Sequence, residues 1–200
     1  MSATRPSPCL RRPAQRGATV AEFAFSVVLF FGALFFVIEL ARALYLSNTL
    51  QEVTRRAAHA AAVSDFSDAA VMNAVRQSAV LRDSPGALVL GEPVTDAHLR
   101  IDYLSLARAA NGGMTLTPIA AADLPACPAR ARINCAANPN GASCIRFVRV
   151  RVCAPGGGDC DPVPYQPMLP LLTLGYALPV STTIAKAESL GFVPGSSLCP

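Results

Sequence analysis

Between Phe23 and Ile38 lie sixteen consecutive residues without a charge, and the apolar stretch widens to 22 residues, Val20 to Ala41, if the carboxylates Glu22 and Glu39 near its ends are included. At 1.5 Å rise per residue that length gives about 33 Å of helix, enough to cross roughly 30 Å of hydrocarbon. The segment Met168 to Leu178 is apolar too, but Pro170 breaks it and Pro167 and Pro179 flank it, so it reads as a loop on the core or a membrane- or subunit-touching patch. The chain thus has one membrane helix, and the rest must fold beside it.

Charge divides the chain at the same place. Arg5, Arg11, Arg12 and Arg16 precede Gly17, while all thirteen acidic residues follow it and face thirteen basic ones, so the formal +4 belongs to the leader. A basic leader stays cytoplasmic and the downstream chain is exported, although Arg42, Arg55 and Arg56 weaken the asymmetry. Beyond Gly17 the arginines are scattered in a formally neutral sequence, which excludes nucleic acid as an expected partner. A secretory signal would carry a shorter apolar core and a small-residue cleavage site after it; here the pattern runs on through Glu39, Arg42 and Tyr45, so the helix is retained as an anchor.

Beyond the span, Leu46, Leu50, Val53, Ala57 and Ala61 recur every three or four residues, with Asn48, Gln51, Arg55 and His59 on other faces. No Gly or Pro interrupts between Gly32 and residue 84, so one helix over Ala18 to Ala62 is expected, its outer stripe covering the chain's own sheet. A second helix is expected over Asp65 to Arg82, capped by Ser67 or Asp68, with Ala70, Val71, Ala74, Val75, Ser78 and Leu81 on one side and Ser84, Pro85 and Gly86 ending it. Leu99 to Tyr103 and Met114 to Thr117 alternate as strands, joined by a long connection that includes Leu104 to Ala110. Pro118 to Ala142 reads as a loop.

Ser143 to Cys153 is the clearest strand, with Val148, Val150 and Val152 on one face and Ile145, Phe147, Arg149 and Arg151 on the other. Its arginines, Arg146 included, read as a wetted edge or as guards against edge pairing, with an anion site as the rival. A final strand over Val180 to Ala187 closes the sheet. The fold class is α+β: a single N-terminal transmembrane helix extended into an exported domain with a mainly antiparallel sheet of three or four strands. The domains are a basic cytoplasmic leader at 1–17, the helix at 18–62 and the exported domain at 63–200.

Of the seven cysteines, Cys9 lies in the leader, and Cys127, Cys135, Cys144, Cys153, Cys160 and Cys199 lie beyond residue 120. An even set in an exported domain reads as up to three disulfides, with fifteen full connectivities open. Metal is the rival reading, but the chain has no Cys-x-x-Cys pair and neither histidine is near, so no metal site is expected. Asp159 and Asp161 do not form a calcium loop. His59 and His98 are isolated, so no catalytic residue, no enzymatic activity and no cofactor is expected.

The arrangement of Gly17, Ala18, Glu22 and Phe23, a glycine after a basic leader followed by Glu and Phe at the mouth of one apolar helix, resembles a type IV prepilin. In that family a membrane aspartic peptidase cuts after the glycine and the mature chain carries Glu at its fifth position. The resemblance implies cleavage between Gly17 and Ala18, with loss of Cys9, and a neighbouring subunit's Ala18 ammonium as partner for Glu22. The alternative reading has Glu22 simply reaching the headgroup layer.

Residues Gly17 to Ala61 are similar to the start of TadE-like and TadG-like proteins, minor pseudopilins of tight-adherence (Flp-type) pilus systems. The strand at Ile145–Val152, the Tyr-x-Pro-x-x-Pro-x-Leu passage at Tyr165–Leu172 and the strand around Val180–Ala187 are similar to their C-terminal pattern, whereas the cysteine-rich middle departs from the short family form. The resemblance implies a role in pilus assembly in the bacterial inner membrane, N-terminus cytoplasmic and C-terminal domain periplasmic. It implies the prepilin peptidase, other minor pilins and the inner-membrane platform as partners besides the lipid bilayer, and lateral packing through the Phe23–Leu46 surface. The alternative is a single-pass envelope protein with an exported, disulfide-stabilised binding domain.

Overall fold

A computed structural model describes residues 18–156, 160–168, 175–195 and 199. The leader with Gly17 and Cys9, the turn residue Asp159, and residues 169–174 of the proline-broken apolar segment lie outside the described residues. The chain divides into two compact units, Met1–Ala41 and Arg42–Pro200.

Helix α1 runs Ala18–Val63, one residue longer than the sequence predicts. From Phe23 to Ile38 its side chains are apolar on nearly every face and mostly open: Phe23, Phe25, Val28 and Phe30 are each at least 64% exposed, whereas Glu39 just beyond is buried. A helix apolar on every face belongs in lipid or in a large core, and this one is long and apolar enough to cross a membrane. Within the second unit Leu46, Leu50, Val53, Ala57 and Ala61 are buried, while Asn48, Gln51, Arg55 and His59 are exposed. Each large member of that stripe contributes roughly 1.5–3 kcal/mol by leaving water.

Helix α2, Ala69–Ala79, starts at Asp68, whose carboxylate accepts from the backbone N–H of Ala70 at 2.8 Å and Val71 at 3.3 Å. The cap matches the expectation but the buried side does not. Met72, Val75 and Ala79 face inward, and Ala70, Ala74 and Ser78 are exposed. Met72 is drawn in because the Tyr103 hydroxyl approaches its sulfur at 3.6 Å, so long-range packing chooses the face. The helix ends early because Leu81 takes φ +62°.

Four strands, β1 (Leu99–Arg108), β2 (Met114–Pro118), β3 (Phe147–Val152) and β4 (Thr182–Lys186), form one antiparallel sheet in the order β2-β1-β3-β4. Strand β1 is twice as long as predicted. Leu104 to Arg108, expected in the connection, instead pair with β2, leaving a short turn at 109–113 with Gly112 at φ +82°. The region 118–142 is not all loop, since α3 occupies Pro128–Ala137 with proline in its first turn, where a missing N–H costs nothing.

Val148, Val150 and Val152 of β3 join Leu99 and Tyr103 of β1 and the inner stripes of α1 and α2 in one core. Ile145 also lies in that core, against its expected place on the arginine face, because β3 begins only at Phe147 and strand alternation does not reach back to it. Thr54 of α1 is fully buried; its hydroxyl lies 2.9 Å from that of Thr183 on β4 and bonds the Gln51 carbonyl.

Candidate functional site

Ala18 is the first described residue of α1. Glu22 follows one turn later on the same side of the helix, since residues four apart are neighbours on a helical surface. Glu22 is exposed, its own carbonyl accepting from the Ser26 hydroxyl at 2.9 Å, and Phe23 beside it is 71% exposed. Gly17 lies outside the described residues; of the four residues the resemblance singles out, the structure describes Ala18, Glu22 and Phe23. An N-terminal ammonium on Ala18 would lie about 6 Å along the axis from Glu22. Charges of opposite sign in hydrocarbon favour meeting each other, because each alone is costly there.

The expected lateral surface, Phe23–Leu46, is shortened at its far end. Leu46 is 0% exposed within the second unit, so it is committed to the domain core.

The second unit begins with a device that sequence reading missed. Arg42 donates from Nε to the Leu90 carbonyl at 3.2 Å, from Nη2 to the Glu92 carbonyl at 2.9 Å and from Nη1 to the Gln166 carbonyl, with its guanidinium 5.3 Å from the centre of the Tyr165 ring. One side chain gathers two loops, and charge-assisted bonds of this kind are about twice as strong as neutral ones. The one available signal was an arginine standing directly after an apolar span.

The arginines of β3 also have a different role from either expectation. Strand β3 lies inside the sheet, between β1 and β4, so Arg149 and Arg151 guard no edge. Both converge on Asp102 of β1, Arg149 Nη2 at 2.9 Å and Arg151 Nη2 at 2.7 Å, with Arg100 Nε at 3.2 Å from the other carboxylate oxygen. Burial alone would raise the Asp102 pKa, but the hydrogen bonds from Arg151 and Arg149 outweigh it and hold the carboxyl below its ordinary range. Such a cluster fixes β1 against β3. His98 accepts at Nδ1 from the Thr95 backbone N–H at 3.0 Å, and burial, opposed by Asp96, pushes its pKa down.

The cysteines come together as three pairs at bonding distance: Cys127 with Cys199, Cys135 with Cys144, and Cys153 with Cys160, with Cα separations of 6.0, 4.6 and 4.8 Å. This selects one of the fifteen connectivities. The first pair ties the start of α3 to the chain's last residues; the other two close short local loops.

No curated protein and no solved structure matches the chain. The family described as TadE-like protein matches residues 17–59, from the glycine before α1 almost to the end of that helix. Over residues 17–59 the chain is therefore similar to the TadE-like family, a family of tight-adherence pilus systems, and that stretch includes one helix long and apolar enough to cross a membrane.

Proposed function

We propose that the protein is a minor pseudopilin-like component required for assembly of a tight-adherence pilus, made as a precursor and cut by a prepilin peptidase between Gly17 and Ala18. The observation that carries this reading is that the family match begins at Gly17 and that the exposed Glu22–Phe23 pair stands in the first turns of the described part of α1. On this reading the leader arginines hold the N-terminus in the cytoplasm and the domain lies in the periplasm. Cleavage frees the Ala18 ammonium, which pairs with Glu22 of a neighbouring subunit.

The apolar surface of the span then packs laterally. Lipid tails are as apolar as these side chains, so shape and the terminal charge pair carry the specificity. The protein performs no catalysis of its own. It is the peptidase's substrate, and other minor pilins and the inner-membrane platform are its assembly partners.

Intact-mass measurement in host strains with and without the prepilin peptidase tests the mechanism. Ala18 should be the first residue only where the peptidase is present. Gly17→Val should retain residues 1–17 and block assembly, whereas Glu22→Gln should be cut normally and still fail to assemble. Functional protein that keeps residues 1–17 would refute the processing step and leave the single-pass envelope protein as the better account.

A further inference from the structure

The loop after α2 puts a leucine where backbone chemistry favours glycine. Leu88 and Val94 anchor it, 1% and 0% exposed, with the Leu88 N–H bonded to the Val94 carbonyl at 2.8 Å. Between these anchors Val89 and Leu90 stand 53% and 66% exposed, and Leu90 takes φ +54°. An L-residue in that region costs roughly 1–2 kcal/mol, a cost glycine avoids. A strained and exposed apolar tip, held on a fixed base, points to an apolar surface outside the chain.

Its position says which surface. Arg42 bonds the carbonyls of Leu90 and Glu92, and the Tyr45 hydroxyl donates to the Val89 carbonyl at 3.3 Å. Arg42 directly follows the apolar stretch that ends at Ala41, and Tyr45 lies three residues further on. With the hydrocarbon boundary near residue 41 and 1.5 Å of rise per residue, both side chains start within about 6 Å of it. The headgroup layer on each side of a bilayer is itself roughly 5–8 Å thick. Arginine and tyrosine are residues that suit that layer, and Arg82 lines the same groove as Leu90 and Glu92.

We infer that the loop tip, Val89 and Leu90, inserts into the headgroup–acyl boundary of the bilayer as a second anchoring point for the domain. The occupant is lipid because the tip is held by Arg42 and Tyr45, residues that come just after the apolar stretch and whose chemistry suits the headgroup layer. The inference rests on residues 20–41 spanning the bilayer, as the proposed function requires.

The chain contains no tryptophan, so a single introduced one is a clean reporter. Full-length Phe30→Trp, Leu90→Trp and Met114→Trp proteins are reconstituted into phosphatidylcholine–phosphatidylglycerol vesicles with and without acyl-brominated lipid. Phe30→Trp and Leu90→Trp should lose most of their emission to bromine, and Met114→Trp, on the far strand β2, should keep it. If Phe30→Trp is quenched and Leu90→Trp behaves like Met114→Trp, the loop inference fails and the span stands. If none is quenched, the span itself fails. Emission from Leu90→Trp that is blue-shifted but unquenched would mean that protein covers the tip, which also overturns the inference. Adding Val89→Asp to Leu90→Trp should weaken quenching; quenching that ignores this change would show that the tryptophan, not the native loop, seeks lipid.

Discussion

Replacing Gly191 by alanine should unfold the domain more readily than any ordinary loop substitution. The last carbonyls of α1 are met by the chain's C-terminal segment: Ala62 accepts from the N–H groups of Glu188 and Leu190, each at 3.1 Å, and Val63 accepts from the Ser189 hydroxyl at 3.2 Å. Helix ends leave such carbonyls unsatisfied unless something reaches them. To make the turn after Leu190, Gly191 adopts φ +79° and passes so close to Asp65 that an added Cβ would stand 2.6 Å from its Cα and 2.7 Å from its Cβ, closer still to its backbone nitrogen. Asp65 has little room to retreat, because its carboxylate holds the N–H and hydroxyl of Ser67, one residue before the cap of α2.

Two costs therefore add. The backbone conformation costs an L-residue about 1–2 kcal/mol, and overpacking against a fixed backbone costs a further ~1–3 kcal/mol, for roughly 2–5 kcal/mol together. Gly112 separates them. It has nearly the same φ, +82°, with nothing within 4 Å of a built Cβ, so Gly112→Ala should cost the conformational part alone. Urea unfolding of the full chain in detergent, followed by tyrosine fluorescence, reads the domain specifically, since Tyr45, Tyr103, Tyr165 and Tyr176 all lie in the second unit. At roughly 2 kcal/mol per molar urea, Gly191→Ala should lower the midpoint by about 1–2.5 M and Gly112→Ala by about 0.5–1 M. Equal shifts would refute the contact with Asp65, and no shift in either would refute the backbone reasoning as well.

Asp102→Asn should destabilise the domain at neutral pH by roughly 1–3 kcal/mol, a buried-pair cost reduced for partial exposure. Because the folded Asp102 pKa is lowered, its contribution is fully present above the ordinary carboxylate range and is lost as pH falls through the folded value. The gap between parent and variant in a urea–pH series should close in acid, and a gap constant with pH would exclude the arginine cluster as its source. Among the disulfides, loops spanning 72, 9 and 7 residues should differ in worth. Chain entropy gives about 4 kcal/mol for the longest and about 2.5 kcal/mol for each short one, so replacing Cys127 and Cys199 by serine should lower the urea midpoint most. The same preparations report redox state: the six cysteines beyond residue 120 should resist alkylation until reduced, and finding all six of them free in functional protein would refute the pairing.

Helix α1 was readable because its pattern changes at one point, from apolar on every side to apolar every third or fourth residue, and those two patterns name two solvents. Strand β3 was readable from Val148, Val150 and Val152 alone. The far half of β1 was not, because Tyr103, Leu104 and Ser105 are buried in succession. Leu104 pairs with both Phe147 and Pro118, so strands on both sides erase the alternation that would have marked it. Helix α3 was hidden by alanine, proline and cysteine, which read as loop until a partner for Cys127 near the C-terminus is known. The residues proposed for processing, Gly17, Ala18, Glu22 and Phe23, lie close together along the chain and form a local pattern. The Arg42 clamp joins residues 48 and 124 positions away, and no local pattern encodes such a contact.

Those long-range contacts narrow how the molecule can associate. The stripe from Leu46 to Ala61 could in principle have served neighbouring subunits, yet it is spent on the chain's own sheet, with Leu46, Leu50, Ala57 and Ala61 all at 0% exposure. Opening it to a partner would return several large apolar side chains to water at roughly 1.5–3 kcal/mol each, a sum comparable with the stability of a small domain. Pilin-like lateral packing, if the proposed function holds, is therefore left to the surface before Arg42, where phenylalanines stand open in every direction and, among the described residues of that stretch, Glu22 is exposed while Glu39 is buried. A helix of that kind has no preferred apolar side. Register and partner choice then fall to shape and to Glu22, which makes the loss of assembly in Glu22→Gln, with cleavage intact, the outcome on which the whole reading turns.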